Sequence, residues 1–262
     1  MRFHKTSKGL YQPDRDIVRP GVGNMLMVNP LTGFGGGGGA AAFSVTNSGD
    51  FETSSSQSLS ITSPSGNVDK WTAAFWHKRE SIGFSRMFGG SSAEDYFRYF
   101  SNDKAEFKVT GANYTLLTTA TYTDTSAFHH WTVVYDSGNA TAGDRMRIYF
   151  DGTEVTGFDT DTNPPQNTDS TINDGNTNYI GTHASGNQHF DGLIAEFYLI
   201  NNQTLTPSSF IDGTPGNPIE FATGADDTHL QFKNSGSLGE NSGGAGDWTN
   251  NNAVTQSASF PP

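Results

Sequence analysis

The side chains in this 262-residue sequence that could do chemistry are carboxylates, histidines, hydroxyls and aromatic rings, because it contains no cysteine. That absence removes thiol nucleophiles, zinc–cysteine centres and iron–sulfur clusters. Carboxylates come first. Glycoside hydrolysis needs two of them flanking one bond, and a single strand can supply both at alternate positions. No Glu-x-Asp-x-Glu or near variant occurs. Glu196 is the one acid within residues 193–200, and Asp226 and Asp227 are adjacent, so on a strand they would face opposite sides. No serine sits in a local nucleophile signature, and no Gly-x-x-x-x-Gly-Lys phosphate loop is present. The residues therefore point away from an enzyme, and no catalytic residue is assigned.

Metal ligands are the next question. Asp159-x-Asp161-x-Asn163 starts like a calcium loop, but Pro164 stands where an EF-hand needs glycine and Ser170 where it needs glutamate. The competing and favoured reading is an acidic loop, with calcium left open by Asp169 and Asp174 nearby. His129 and His130 begin a strand and should diverge, while His183 and His189 flank a loop; ordinary surface histidines account for them better than a metal site. Trp76, Tyr96, Tyr99 and Tyr114 could stack on sugar faces if they point outward. Packing within a core or sheet is the commoner use of such rings.

The elements that must position these groups read as strands. Trp71 to Lys78 alternates, with Trp71, Ala73, Phe75 and His77 on one face. Residues 96–100, 106–109 and 131–135 are further short β runs. Met146, Ile148 and Phe150 alternate against Arg145, Arg147 and Tyr149, and Asp151-Gly152 then signals a type I′ hairpin returning through Thr153–Val155. Residues 193–200 are almost wholly apolar, as in a central strand buried on both faces. Helical signal is confined to one turn at 206–210, with Thr206 as cap and Pro207 at the first helical position. Many short strands joined by Gly, Asn and Asp turns imply an all-β sandwich. No internal repeat or heptad pattern suggests a long fibre shaft.

The charge is uneven. Residues 1–30 hold Arg2, Lys5, Lys8, Arg15 and Arg19 against Asp14 and Asp16, while the whole chain has a formal net charge of −12. An acidic body is unsuited to nucleic acid, and no apolar run is long enough to insert in a membrane. Gly35 to Gly39 reads as a linker. The expected organisation is an arm and Gly-rich linker over residues 1–42 and a β-sandwich over 43–262. The basic arm, with Tyr11 among its residues, is either a docking element or a solvated tail. The first residues lack the apolar stretch of a signal peptide.

Four landmarks then occur in order: Trp131-x-Val133-x-Tyr135, Arg147-Ile148-Tyr149-Phe150-Asp151-Gly152, Tyr179-Ile180-Gly181 and Phe190-Asp191-Gly192-Leu193-Ile194-Ala195-Glu196. After them come Asn201 to Phe210, Leu230-Gln231-Phe232 and Gly246 to Asn250. This order resembles the concanavalin A-like jelly roll, in its laminin G-like and pentraxin-like branch. More narrowly it is similar to the version found in virion structural proteins of tailed phages. The resemblance spans residues 55–250 and leaves the arm uncovered.

It implies a concanavalin A-like sandwich of two antiparallel sheets behind an extended N-terminal arm. It implies a non-enzymatic capsid decoration or short fibre protein, made in the host cytoplasm and displayed on the virion surface. The arm residues Arg2, Lys5, Lys8, Tyr11, Arg15 and Arg19 would engage other capsid or tail proteins. The alternative is a tail-fibre or receptor-binding module for host-surface glycans, and a glycoside hydrolase is a third reading that lacks its carboxylate pair. A homo-oligomer such as a trimer is expected, with no cofactor beyond the open question of calcium.

Overall fold

The computed structural model describes residues 43–62, 66–92, 94–109, 114–213 and 216–262. The arm residues Arg2, Lys5, Lys8, Tyr11, Arg15 and Arg19 lie outside the described residues.

In chain order the strands are β1 (Ser48–Phe51), β2 (Ser58–Thr62), β3 (Lys70–Arg79), β4 (Ser85–Gly89), β5 (Tyr96–Tyr99), β6 (Lys104–Val109), β7 (Tyr114–Thr121), β8 (His129–Asp136) and β9 (Met146–Phe150). They continue with β10 (Thr153–Glu154), β11 (Phe158–Asp161), β12 (Thr177–Ile180), β13 (Gly192–Asn201), β14 (Ile211–Gly213), β15 (Gly216–Pro218), β16 (Thr228–Leu230), β17 (Thr249–Asn251) and β18 (Thr255–Ser257). One sheet, A, has the order β10-β9-β8-β3-β13-β1-β18, with β16 also pairing with β13. The other, B, has the order β11-β7-β6-β5-β4-β12-β2-β17. All of these pairings are antiparallel, and β14 and β15 form a separate hairpin.

Alternation decides the core. Trp71, Ala73 and Phe75 of β3, Trp131, Val133 and Tyr135 of β8, and Phe97, Phe107 and Leu116 of sheet B all enter one buried cluster between the sheets. Trp131 is its aromatic hub, 5.0 Å from Phe97, 4.9 Å from Tyr122 and 4.7 Å from Phe150 by ring centroids. The opposite face of sheet A is also covered. There Trp76, Ala74, Ala195, Tyr198 and Ile200 pack with Val45, Phe210 and Ile211 in a second cluster. That is why β3 and β13 are buried on both faces despite their antiparallel pairing.

The Asp151-Gly152 hairpin forms as the sequence requires, with φ of 46° and 82° at its two residues. Gly192 has φ 139°, and a Cβ there would lie 2.2 Å from the Lys78 carbonyl oxygen, so β13 can approach β3 only with glycine at its start. The turn at 206–210 is a 3-10 turn over Pro207–Ser209. Thr206 does not cap it: its hydroxyl meets the Ser208 hydroxyl at 2.9 Å and leaves the backbone N–H groups to the Thr206 and Pro207 carbonyls. The expected run at 230–232 is shifted to 228–230, because Phe232 adopts φ 55° and leaves the strand.

Candidate functional site

A cleft of about 230 Å³ opens where strands of both sheets end. It is lined by His77 of β3, Tyr99 at the end of β5, Thr121 of β7, Tyr122, Thr123 and Asp124 after it, His129 at the start of β8 and Phe150 at the end of β9. Its floor is a relay of buried polar groups. The Trp131 indole N–H donates to the Tyr99 hydroxyl at 2.9 Å, and that hydroxyl lies 2.6 Å from His77 Nε2. His77 Nδ1 lies 3.1 Å from the His129 carbonyl. One tautomer satisfies every contact: Nδ1–H donates to the carbonyl and Nε2 accepts from the tyrosine. Burial holds the His77 imidazole well below its ordinary pKa, so it is neutral, and burial likewise raises the Tyr99 phenol.

The Arg79 guanidinium braces this floor. It sits 4.1 Å over the Tyr99 ring, donates to the Tyr122 carbonyl at 2.6 Å and pairs with Asp103 at 2.8 Å.

The wall of the cleft is charged. His129 Nδ1 lies 2.7 Å from Asp151 and Nε2 lies 3.2 Å from Asp124, so both ring nitrogens face carboxylates. The Asp151 hydrogen bond, above all, raises the His129 pKa and favours an imidazolium that donates on both sides. The Asp-Gly hairpin places Asp151, whose other oxygen accepts the His130 N–H at 2.8 Å. Asp124 accepts from the Ser126 hydroxyl and N–H, each at 2.7 Å. These bonds, with His129, lower its pKa to about 2. His129 stacks on Phe150 at 4.9 Å, and Tyr122 packs at 4.6 Å on the same ring. The cleft thus offers an ionised carboxylate, two threonine hydroxyls and aromatic surface at its rim. A general acid for glycoside hydrolysis needs a carboxyl group with a raised pKa, and Asp124 is shifted the other way.

A second polar constellation lies in the C-terminal half. Glu196 sits at a bulge in β13 with φ 47° and is buried. Its Oε2 meets His229 Nε2 at 2.6 Å, and His229 Nδ1 meets the Ser242 hydroxyl at 2.9 Å. The order serine–histidine–glutamate has the form of a nucleophile relay. The surrounding backbone does not complete it. The N–H groups of Ser242, Gly243 and Gly244 are already given to the His229 carbonyl, the Asn241 side chain and the Gly224 carbonyl, so none remains as an oxyanion donor. With Tyr198 stacked on His229 at 3.9 Å, the relay fastens β16 and the segment after it to the central strand.

A family model described as the concanavalin A-like lectin/glucanases superfamily matches residues 51–211, which span both sheets of this sandwich. The chain belongs to that superfamily. No curated protein matches it. Among solved structures it is similar to a Bacteroides ovatus protein described provisionally as carbohydrate binding, with a TM-score of 0.54 and 15% identity over 82% of this chain and 60% of that one. That likeness is one of fold, and this chain spans less than two thirds of that protein's length. A SAP-like pentraxin from Limulus polyphemus gives a TM-score of 0.45 at 12% identity over 64% of this chain and 82% of that one. Domains LG4-5 of the mouse laminin α1 chain give 0.43 at 13% identity over 71% and 46%.

Within this lectin-type fold the aromatic residues singled out from sequence do not serve as exposed sugar platforms. Trp76 is 2% exposed, packed in the outer cluster of sheet A with its ring 5.1 Å from His130. Tyr96 is buried with the Arg86 and Arg98 guanidinium groups 3.9 and 4.4 Å over its ring, which leaves no face for a ligand. Tyr99 is buried under Arg79 and contributes to the cleft floor rather than a stacking face. Tyr114 is half-buried against the main core.

Asp159 pairs with Lys104 and accepts from the Thr119 hydroxyl, while Asp161 accepts from the Asn163 amide. Among the described residues no group of three or more acidic or histidine side chains is arranged to hold a metal ion. One histidine expectation is corrected: His130 is buried, because strand alternation turns it onto the covered outer face of sheet A, against Trp76 and Phe210, instead of toward water. Tyr122 and Asp124 were not singled out in sequence, and Phe150 was read only as a strand residue. The Asp151-Gly152 turn next to a strand opening in His129 was the one signal that could have marked them.

Proposed function

We propose that this chain is a non-enzymatic, lectin-like display domain that holds a saccharide in the His129–Asp124–Phe150 cleft. The observation that carries the reading is the cleft itself. It sets an ionised carboxylate, a histidine whose pKa is raised by its carboxylate neighbours, and threonine hydroxyls beside two aromatic rings. Carboxylates accept strongly from sugar hydroxyls, and ring faces take the apolar side of a pyranose. The fixed relay beneath keeps these groups in place before a ligand arrives, which lowers the entropic cost of binding. The lowered pKa of Asp124 supports binding rather than hydrolysis.

The domain is displayed on the surface of a tailed-phage particle, as a homo-oligomer such as a trimer, and is tethered through residues 1–42 to capsid or tail proteins. The ordered strand landmarks and the basic segment ahead of an acidic body support this setting. Two experiments test the reading. A glycan array probed with the purified chain should show a defined set of retained glycans and no release of reducing sugar. Deleting residues 1–39 should leave a folded domain that no longer enters particles; normal incorporation of that truncation would remove the tethering role.

A further inference from the structure

A second cleft, of about 240 Å³, lies on the side of sheet B that faces away from the core. Strand pairing builds it. Leu59 and Ile61 of β2 point into the core, so Ser58 and Ser60 point the other way. Tyr179 of β12 stands opposite Ser60, and Asn251 of β17 stands opposite Ser58. The Asn251 amide donates to the Ser60 hydroxyl at 3.0 Å, which orients its carbonyl oxygen as the free end of the group. Among the described residues the Tyr179 and Ser58 hydroxyls and the Asn251 carbonyl oxygen make no hydrogen bond, and His189 Nδ1 is buried in the lining without a partner. The loop from Thr182 to His189 closes the far side.

Two features fix what this cleft can take. Its lining contains hydroxyl, amide and imidazole groups but no Asp, Glu, Lys or Arg. Thr182, His183, Asn252 and the Asn251 amide are held by neighbouring groups, while the Tyr179 and Ser58 hydroxyls and the Asn251 carbonyl oxygen stay open beside one partly exposed tyrosine ring. A charged ligand would lose hydration with no opposite charge to meet it. A neutral polyhydroxyl ligand would satisfy the open donors and acceptors while laying an apolar face on Tyr179. We infer that the cleft formed by Ser58, Ser60, Tyr179 and Asn251 is a second, independent saccharide site, selective for neutral sugars. It shares no lining residue with the first cleft, so the domain is bivalent within one chain and gains avidity when one glycan or a glycan-coated surface spans both.

The test is a two-dimensional NMR titration of the isotope-labelled chain with maltotriose, cellotriose and xylotriose at millimolar concentration. At least one of these should shift the amide signals of residues 58–60, 179 and 251. Tyr179→Ala should weaken that binding about threefold to tenfold, Asn251→Ala should weaken it as well, and Asp124→Asn should leave it unchanged. High salt should leave the affinity at this cleft unaltered, since its lining holds no carboxylate, ammonium or guanidinium group. Absence of shifts at these amides with all three sugars, or shifts that survive both substitutions, overturns the inference. Shifts at Tyr122, Asp124 and His129 report the first cleft separately, so the failure of either site is read independently of the other.

Discussion

The outer faces of the two sheets are built from opposite materials. Sheet A turns Ala74, Trp76, Tyr198 and Ile200 outward and covers them with Val45, Phe210 and Ile211. Sheet B turns outward a charged centre, in which Arg98 pairs with Glu106 and Tyr96 donates to the same carboxylate at 3.1 Å, and a neutral edge of serine, tyrosine and asparagine. The difference teaches that alternation alone does not say which side of a strand meets a ligand. One outer face is spent on stability, covered by residues from before the first strand and from the segment after the central one. The other, with the strand ends beside it, keeps the polar groups that recognition requires.

The largest effect should come from breaking the covered face. Trp76→Ala removes a buried indole and should cost about 3–5 kcal/mol in urea unfolding, whereas Tyr179→Ala on the polar edge should cost less than about 1 kcal/mol. Equal losses at both positions would erase the contrast.

Acid sharpens it next. Burial depresses the pKa of His77, and of His130 on the covered face to about 3, whereas the unfolded chain takes up protons near 6.5. The unfolded state therefore binds more protons below about pH 6.5, and each such histidine withdraws up to about 1.4 kcal/mol per pH unit as the solution is acidified. For His130 this continues to about pH 3. His129 acts in the other direction: its pKa is raised, so its contribution is fully present below its unfolded value and fades as pH rises through the folded one. A melting-temperature profile against pH should fall on the acid side, and His130→Leu should flatten that limb.

A smaller effect is expected at the first cleft. Phe150→Ala should weaken glycan binding about threefold to tenfold through the lost stacking surface, measured by calorimetry, with catalytic turnover absent in both proteins. The smallest concerns metal. Because Asp159 is engaged by Lys104 and Thr119, chelation with EDTA should shift neither the melting temperature nor glycan binding; a drop in either would give calcium a structural role.

Local physics made much of the fold legible. The Asp151-Gly152 turn, the alternation of Trp71–Lys78 and the apolar run at 193–200 all appear as the residue pattern requires. Gly192 is where the crowded start of β13 demands it. What escaped the sequence was long-range. His77, Tyr99 and Trp131 form one relay although 22 and 32 residues separate Tyr99 from its partners. Glu196 finds His229 33 residues away at a bulge that no local pattern marks. Trp76 and Tyr96 were open to a stacking reading because alternation assigns a face but not what lies over it. Serines, threonines and asparagines on strand edges carry no periodic signal, so the second cleft had none to give.

The most direct measurement is titration calorimetry of a glycan retained on the array against the wild-type chain and Asp124→Asn. Loss of the carboxylate should weaken binding about tenfold or more, with the substitution leaving the melting temperature near its original value. Unchanged affinity in Asp124→Asn, or no glycan retained by the wild-type chain, would contradict a lectin-like function for this cleft.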